Sequence, residues 1–180
     1  MYYIGLDIGT SSVKALLVSE EGEVVGSATP EYPFQTPKPL WAETDPEVWW
    51  EATCKAIRSL LGEVKGSEIA AVGLTGQMHG MVALDAKGGV LRPCIMWNDQ
   101  RSYRECEEIT RMAGESEILR ITGNPVLAGF TAPKVLWVKN NEPDVFSSID
   151  KVVLPKDYVR YKLSGEFFTD VSDASGTSLL

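Results

Sequence analysis

"YYIGLDIGTSSVKALLV" occupies residues 2–18. An apolar run reaches Asp7, and the chain then passes through Gly9, Thr10, Ser11 and Ser12. A second run follows, in which Val13, Ala15 and Leu17 alternate with Lys14, Leu16 and Val18. Period-two alternation on both sides of a glycine-bearing turn reads as a β-hairpin. A turn needs one or two special residues, and this one carries a carboxylate, a glycine and three hydroxyls. Glycine lets the backbone come close to a ligand, and successive N–H and hydroxyl groups around a turn make a concave anion site. A carboxylate at its edge can hold Mg²⁺ through water and so offset phosphate charge. The element after the turn is a strand rather than a helix, so the stretch is neither a Walker loop nor a GxGxxG fingerprint. Taken alone, it is also satisfied by a polar hairpin turn with no ligand.

Outward from the hairpin, residues 23–29 supply a third strand. "PEYPFQTPKPLW" (30–41) is too proline-dense for a central strand or a helix. "TDPEVWWEATCKAIRSLLGEV" (44–64) is the clearest helix. Thr44 or Asp45 caps it, Pro46 suits its first turn, and Glu47 stands at capping-box spacing from Thr44. Trp49, Ala52, Ala56, Ile57 and Leu60 then share one face. "EIAAVGLTG" (68–76) reads as a buried strand. "MVALDAKGGVLRP" (81–93) reads as strand, turn and strand, with the turn at 87–89. Helices are expected over 100–113 and 132–140, then a short strand, a helix and a turn at Ser164 and Gly165. Three leading strands followed by alternating helix and strand predict a mixed α/β sheet with helical cover.

The 180 residues suffice for one domain, and 44% hydrophobic with 23% charged residues is ordinary for a globular protein. A formal net charge of −8 repels polyanions, which argues against nucleic-acid or membrane-surface partners. Small anions remain accessible to backbone N–H groups and helix ends. Cys54, Cys94 and Cys106 are odd in number, widely spaced and free of any CxxC pair, as expected for reduced structural thiols. The opening "MYYIGLD" has no basic n-region. The longest uncharged stretch, 69–84, is broken by three glycines, Gln77 and His79, so no transmembrane helix is expected. The expected location is cytoplasmic. The apolar ending "DASGTSLL" reads either as the cut end of a fragment or as a terminal strand tucked into the sheet.

"LDIGTSSVKALLV" resembles the first phosphate loop of the sugar-kinase, heat-shock-protein-70 and actin superfamily. "LWAETDPEVWW", "GLTGQMHG", "LRPCIMWNDQR", "ITGNPVLAGFTAPKVLWVKNNEPDVF" and "VLPKDYVRYKLSGEFFTDVSDASGT" follow in the order seen in carbohydrate kinases of the FGGY family. The likeness runs through essentially the whole chain and is strongest to the xylulokinases. "GQMHG" and "LPKDY" beside "SDASGT" are its most specific parts. It implies a ribonuclease-H-like mixed β-sheet with flanking helices. Residues 1–180 would then be the N-terminal portion of the sugar-binding domain, incomplete and without the C-terminal nucleotide domain. The implied reaction is ATP-dependent phosphorylation of D-xylulose to D-xylulose 5-phosphate.

By that resemblance Asp7 positions Mg²⁺ through water, and Gly9, Thr10, Ser11 and Ser12 cradle the β- and γ-phosphates of ATP. Phosphoryl transfer asks mainly for alignment and charge stabilisation, which such a loop supplies. Lys14 either lends charge there or is a solvated side chain. Gln77, Met78 and His79 together offer donors, acceptors and an apolar contact that suit a ketose. The resemblance assigns Met78 and His79 to sugar binding, His79 orienting hydroxyls rather than acting as a base. The single histidine follows a strand at the carboxyl edge, where α/β sheets place ligands, though a lone histidine is also commonly structural. In "MWNDQR" (96–101) Trp97 would stack on the sugar, with Asn98, Asp99 and Arg101 in reach of hydroxyls. The same residues also read as a core tryptophan and a helix cap in which Asp99 accepts N–H bonds. Trp41, Trp49, Trp50 and Trp137 are assigned to packing. Asp170 and Asp173 either border the sugar site or form a hydroxyl-rich turn.

The family carries its general base on an Asp in a glycine-rich segment downstream, and no "GGGD"-like stretch occurs here. The 180 residues alone are therefore expected to turn over negligibly. Two other readings stay open: another FGGY kinase acting on glycerol, gluconate or a different ketose, and a non-catalytic sugar- or phosphate-binding module. "QMH" favours xylulose over the glycerol-kinase pattern, where a charged Arg-Glu pair is expected. The partner so implied is a small ketose, with no nucleic acid and no membrane. Oligomeric state is left open, a homo-oligomer included.

Overall fold

The hairpin forms where the alternation places it. The computed structural model describes residues 1–179. Strand β1 (Tyr2–Ile8) runs antiparallel to β2 (Val13–Ser19), with Asp7 opposite Lys14, and β3 (Val24–Ala28) extends the sheet beyond β2. The proline-rich connector leads to the short β4 (Glu43–Thr44) and to α1 (Pro46–Leu60). β5 (Ile69–Gly76) then returns parallel to β1, giving the order β3-β2-β1-β5. β6 (Val82–Leu84), β7 (Cys94–Ile95), α2 (Tyr103–Ala113), α3 (Glu115–Thr122), α4 (Thr131–Asn141) and α5 (Pro143–Ser148) follow. β8 (Lys151–Val153), α6 (Pro155–Ser164) and α7 (Val171–Ser175) complete the described chain, with β4 paired to β7 and β6 to β8.

The inner face of the sheet explains the alternation. Ile4, Leu6 and Ile8 of β1 and Val13, Ala15 and Leu17 of β2 are buried under Trp49, Ala52, Ala56 and Leu60 of α1 and Tyr158 and Val159 of α6. Each large aliphatic side chain so covered contributes about 1.5–3 kcal/mol. A second cluster of Met81, Ala83, Ile95, Trp137 and Val138 joins the two short ribbons to α4. Among the described residues no helix is long and apolar enough to cross a membrane.

Several expectations are corrected. β5 is a strand but not a buried one: it pairs only with β1, residues 70–73 are exposed, and Val72 keeps 40% of its surface. Among the described residues, nothing covers its free edge or the outer face that also carries Tyr3, Gly5, Asp7 and Lys14. An apolar run shows that a strand tolerates cover on both faces, not that cover is there. Asp45, not Thr44, caps α1, its carboxylate accepting from the Glu47 N–H at 3.0 Å. Thr44 turns into the core and donates to the Met96 sulfur, while Glu47 pairs with Tyr158 and Lys162 of α6. α2 starts at Tyr103 rather than 100, and Gly114 separates it from α3, a helix the pattern did not announce. The second strand expected in 81–93 shrinks to a bridge between Leu84 and Val90. Residues 171–175 form a helix and Leu179 is exposed, so residues 171–179 are no terminal strand; the final Leu180 of that expectation lies outside the described residues.

Candidate functional site

Strands β1 and β5 run parallel, with Ile8 beside Gly76, so the segments leaving their carboxyl ends emerge side by side. One is the hairpin turn 9–12 and the other is 77–80, the arrangement that makes ligand crevices in α/β sheets. The turn closes with the Gly9 N–H donating to the Ser12 carbonyl at 2.9 Å, and a Cβ on Gly9 would stand equally close to that oxygen. The Gly9 carbonyl accepts from the Tyr32 hydroxyl at 2.7 Å and from Gln77 Nε2 at 3.0 Å. With that acceptor saturated, the loop offers donors. Among the described residues the N–H groups of Thr10, Ser11 and Ser12 and the hydroxyls of Ser11 and Ser12 make no hydrogen bond. Asp7 is exposed and has no ion-pair partner among the described residues, although Lys14 stands opposite. Burial, and secondarily the Asp7 charge, push the Tyr32 phenol far above its ordinary range, which keeps it a donor.

Two of the residues expected to contact sugar hold this loop in place. Gln77 is buried; its N–H donates to the Ile8 carbonyl at 2.8 Å and its side chain holds Gly9. Trp97 donates from Nε1 to Thr10 Oγ1 at 3.0 Å and still keeps 41% of its surface exposed. The turn and the neighbouring segments are thus held together by side chains far apart in sequence.

Beside them lies a cavity of about 450 Å³ lined by Met78, His79, Gly176, Lys156, Asp170 and Asp173, among others. Met78 is exposed and His79 is half-buried. His79 holds a φ of 62°, a left-handed conformation that costs a side-chain-bearing residue about 1–3 kcal/mol and clusters at functional sites. Its ring lies 4.6 Å from that of Phe130, and its Nδ1 is buried without a partner. Burial, then the charge on Lys134, lowers its pKa, with Asp173 and the Gly176 backbone opposing, so the imidazole is neutral near pH 7. Lys156 Nζ meets three carboxylates, Asp157 at 2.8 Å and Asp170 and Asp173 each at 2.9 Å. Burial alone would lower that ammonium's pKa; the three acids more than offset it and raise it. Asp170, accepting from the Asp173 N–H and paired with Lys156, is held down to about 2. Asp170 and Asp173 therefore border the cavity, anchoring α7 against it. A groove of about 400 Å³ elsewhere, lined by Val152, Val153, Phe167 and Phe168, is mostly apolar and poorly matched to a polyol.

Asp99 and Arg101 are not brought to the cavity. Asp99 is fully buried, and its oxygens accept from the Ala42 N–H at 2.6 Å, the Arg101 N–H at 2.8 Å and the Arg101 guanidinium. Arg101 also pairs with Glu43, and its guanidinium lies 3.7 Å over Trp41. Glu43 in turn meets Arg92, which pairs with Glu142. The helix-cap reading of Asp99 comes nearer than the sugar reading: the network fixes the segment carrying Trp97. Lys134, Lys156 and Gly176 were missed. Lys134 left a signal, a cation in the apolar stretch "APKVLWV" (132–138).

A ligand crevice at adjoining strand ends is common to α/β domains, and the relatives of this chain narrow the class. The model of the FGGY family of carbohydrate kinases, N-terminal domain, matches residues 2–180. A xylulose kinase of Escherichia coli (strain K12) is 49% identical over 178 residues, 99% of this chain and 36% of that relative. The crystal structure of a xyloylose kinase from Brucella ovis gives a TM-score of 0.94 at 50% identity, covering 100% of this chain and 38% of that one. That of xylulose kinase from Rhodospirillum rubrum gives 0.96 at 33% identity, covering 100% and 37%. The chain belongs to the FGGY family of carbohydrate kinases and spans 36% of the length of the Escherichia coli relative.

Proposed function

We propose that this domain holds D-xylulose in the Met78–His79 cavity and meets the terminal phosphates of ATP with the 9–12 turn, in an enzyme that makes D-xylulose 5-phosphate. The supporting observation is the juxtaposition of a donor-rich turn and a polar cavity at the ends of β1 and β5. The relatives described as xylulose kinases point to the same sugar. Met78 gives an apolar contact, a neutral His79 orients hydroxyls, and the half-exposed face of Trp97 offers a flat wall. Gln77 and Asp99 serve by holding the turn and the Trp97 segment. A divalent ion, Mg²⁺ in the cell, fits beside Asp7, whose unpaired carboxylate adjoins the free donors; when bound, it offsets phosphate charge. Among the described residues no three His, Cys, Asp or Glu gather as a ready-made metal site, so Asp7 would act through water.

His79→Ala in the intact protein is expected to weaken xylulose binding by about 1–3 kcal/mol, roughly 5–150-fold, as sugar hydroxyls lose their partner. Titration calorimetry measures this, and unchanged affinity removes His79 from the site. Turnover compared on xylulose, ribulose and glycerol tests the sugar; preference for glycerol rejects xylulose. Gly176→Ala puts a Cβ 2.6 Å from His79 Cε1. With Phe130 behind the ring, the imidazole must move, and xylulose affinity is expected to fall about tenfold. Wild-type affinity in that variant would show that the ring's position is immaterial.

A further inference from the structure

Lys134 is fully buried, and no carboxylate pairs with it among the described residues. Lysine is almost never found so unless paired, since an ammonium out of water is costly. Burial draws its pKa down to about 8, with Cys94 and Asp99 acting against the fall. What the ammonium meets is backbone. From the first turn of α4 its Nζ donates to the His79 carbonyl at 2.9 Å and to the Gly129 carbonyl at 2.6 Å. Thr131, the first residue of the same helix, donates to the same His79 oxygen at 3.2 Å. His79 is the residue in the left-handed conformation, and such a backbone persists only where its surroundings over-determine it. The other carbonyl belongs to the segment that carries Phe130 against the His79 ring. A Cβ on Gly129 would stand 2.9 Å from the Trp97 carbonyl, so that segment also abuts the other wall.

We propose that Lys134 is a positioning residue for sugar recognition: by bridging the His79 and Gly129 carbonyls, its ammonium fixes the left-handed backbone of His79 and so the aim of the imidazole. The proposal rests on the sugar-binding reading of the Met78–His79 cavity. Methionine in its place fills a similar volume but leaves the Gly129 carbonyl without a donor and His79 with only the longer bond from Thr131.

The test uses the intact protein labelled with ¹⁵N-histidine, the His79 resonances being assigned by their loss in His79→Gln. Lys134→Met is expected to shift those resonances and to raise KM for xylulose about tenfold, while KM for ATP stays within about twofold. His79 resonances and a xylulose KM both like wild type would overturn the proposal. If Lys134→Met does not fold, Thr131→Val removes the weaker donor to the same oxygen. It is expected to move both readouts in the same direction by a smaller amount, and no movement overturns the proposal equally. His79→Gln separates the two levels. If it raises the xylulose KM and folded Lys134→Met does not, the positioning role fails; if neither raises it, the sugar reading of the cavity fails first.

Discussion

Asp7→Asn in the intact protein is expected to lower kcat by about 10²–10³-fold, with KM for xylulose held within about twofold. The magnitude is that of removing one preorganised electrostatic group from a charge-stabilising site. Asparagine keeps the size and the strand but discards the charge. Asp7 is exposed near the end of β1, and its carboxylate, despite Lys14 across the hairpin, has no ion-pair or hydrogen-bond partner among the described residues. Its loss should therefore leave the thermal midpoint nearly unchanged. The Met78–His79 cavity is lined from β5 onward and does not include Asp7, so sugar binding there should survive. Steady-state kinetics with each substrate varied in turn would decide. A kcat near wild type would show that the carboxylate is an ordinary surface acid and that the turn does not organise nucleotide and metal.

The opposite signature is expected of Asp99. Asp99→Ala should cost about 3–5 kcal/mol of stability, the usual result of removing one partner from a buried ion pair. It leaves the Ala42 N–H without its acceptor and the Arg101 guanidinium, with 1% of its side chain exposed, dependent on a Glu43 already shared with Arg92. At about 2–4 °C per kcal/mol for a domain of this size, the midpoint should fall roughly 6–20 °C. Chemical denaturation of the intact protein, following this domain's transition, measures it. Full stability with a raised xylulose KM would return Asp99 to the sugar wall.

The hairpin, α1 and the carboxyl-edge position of His79 were all legible in the chain, because each rests on relations within a few residues. Alternation over 2–8 and 13–18 fixes which side chains face the core, and a capping residue followed by Pro46 starts a helix whatever lies elsewhere. The choice of cap was not legible: Thr44 and Asp45 compete on equal local terms, and Met96 settled it by receiving the Thr44 hydroxyl. Nor was the cover over β5, since hydrophobicity records what a strand permits.

The same division runs through the candidate site. Residue types at 7, 9–12 and 77–79 announce anion- and sugar-friendly chemistry, but their aim depends on partners 50 or more positions away. Gln77 turns to the Gly9 carbonyl 68 residues earlier, Trp97 reaches Thr10 across 87, and Lys134 finds the His79 carbonyl across 55. Asp99 looked as suited to a sugar hydroxyl as to an arginine until the fold brought the Ala42 N–H against it, held its partner Arg101 on Glu43 and closed off water. Local sequence chooses which groups are present and roughly which strand end presents them. Burial and hydrogen-bond satisfaction across the folded chain choose which of those groups is left free to meet a ligand.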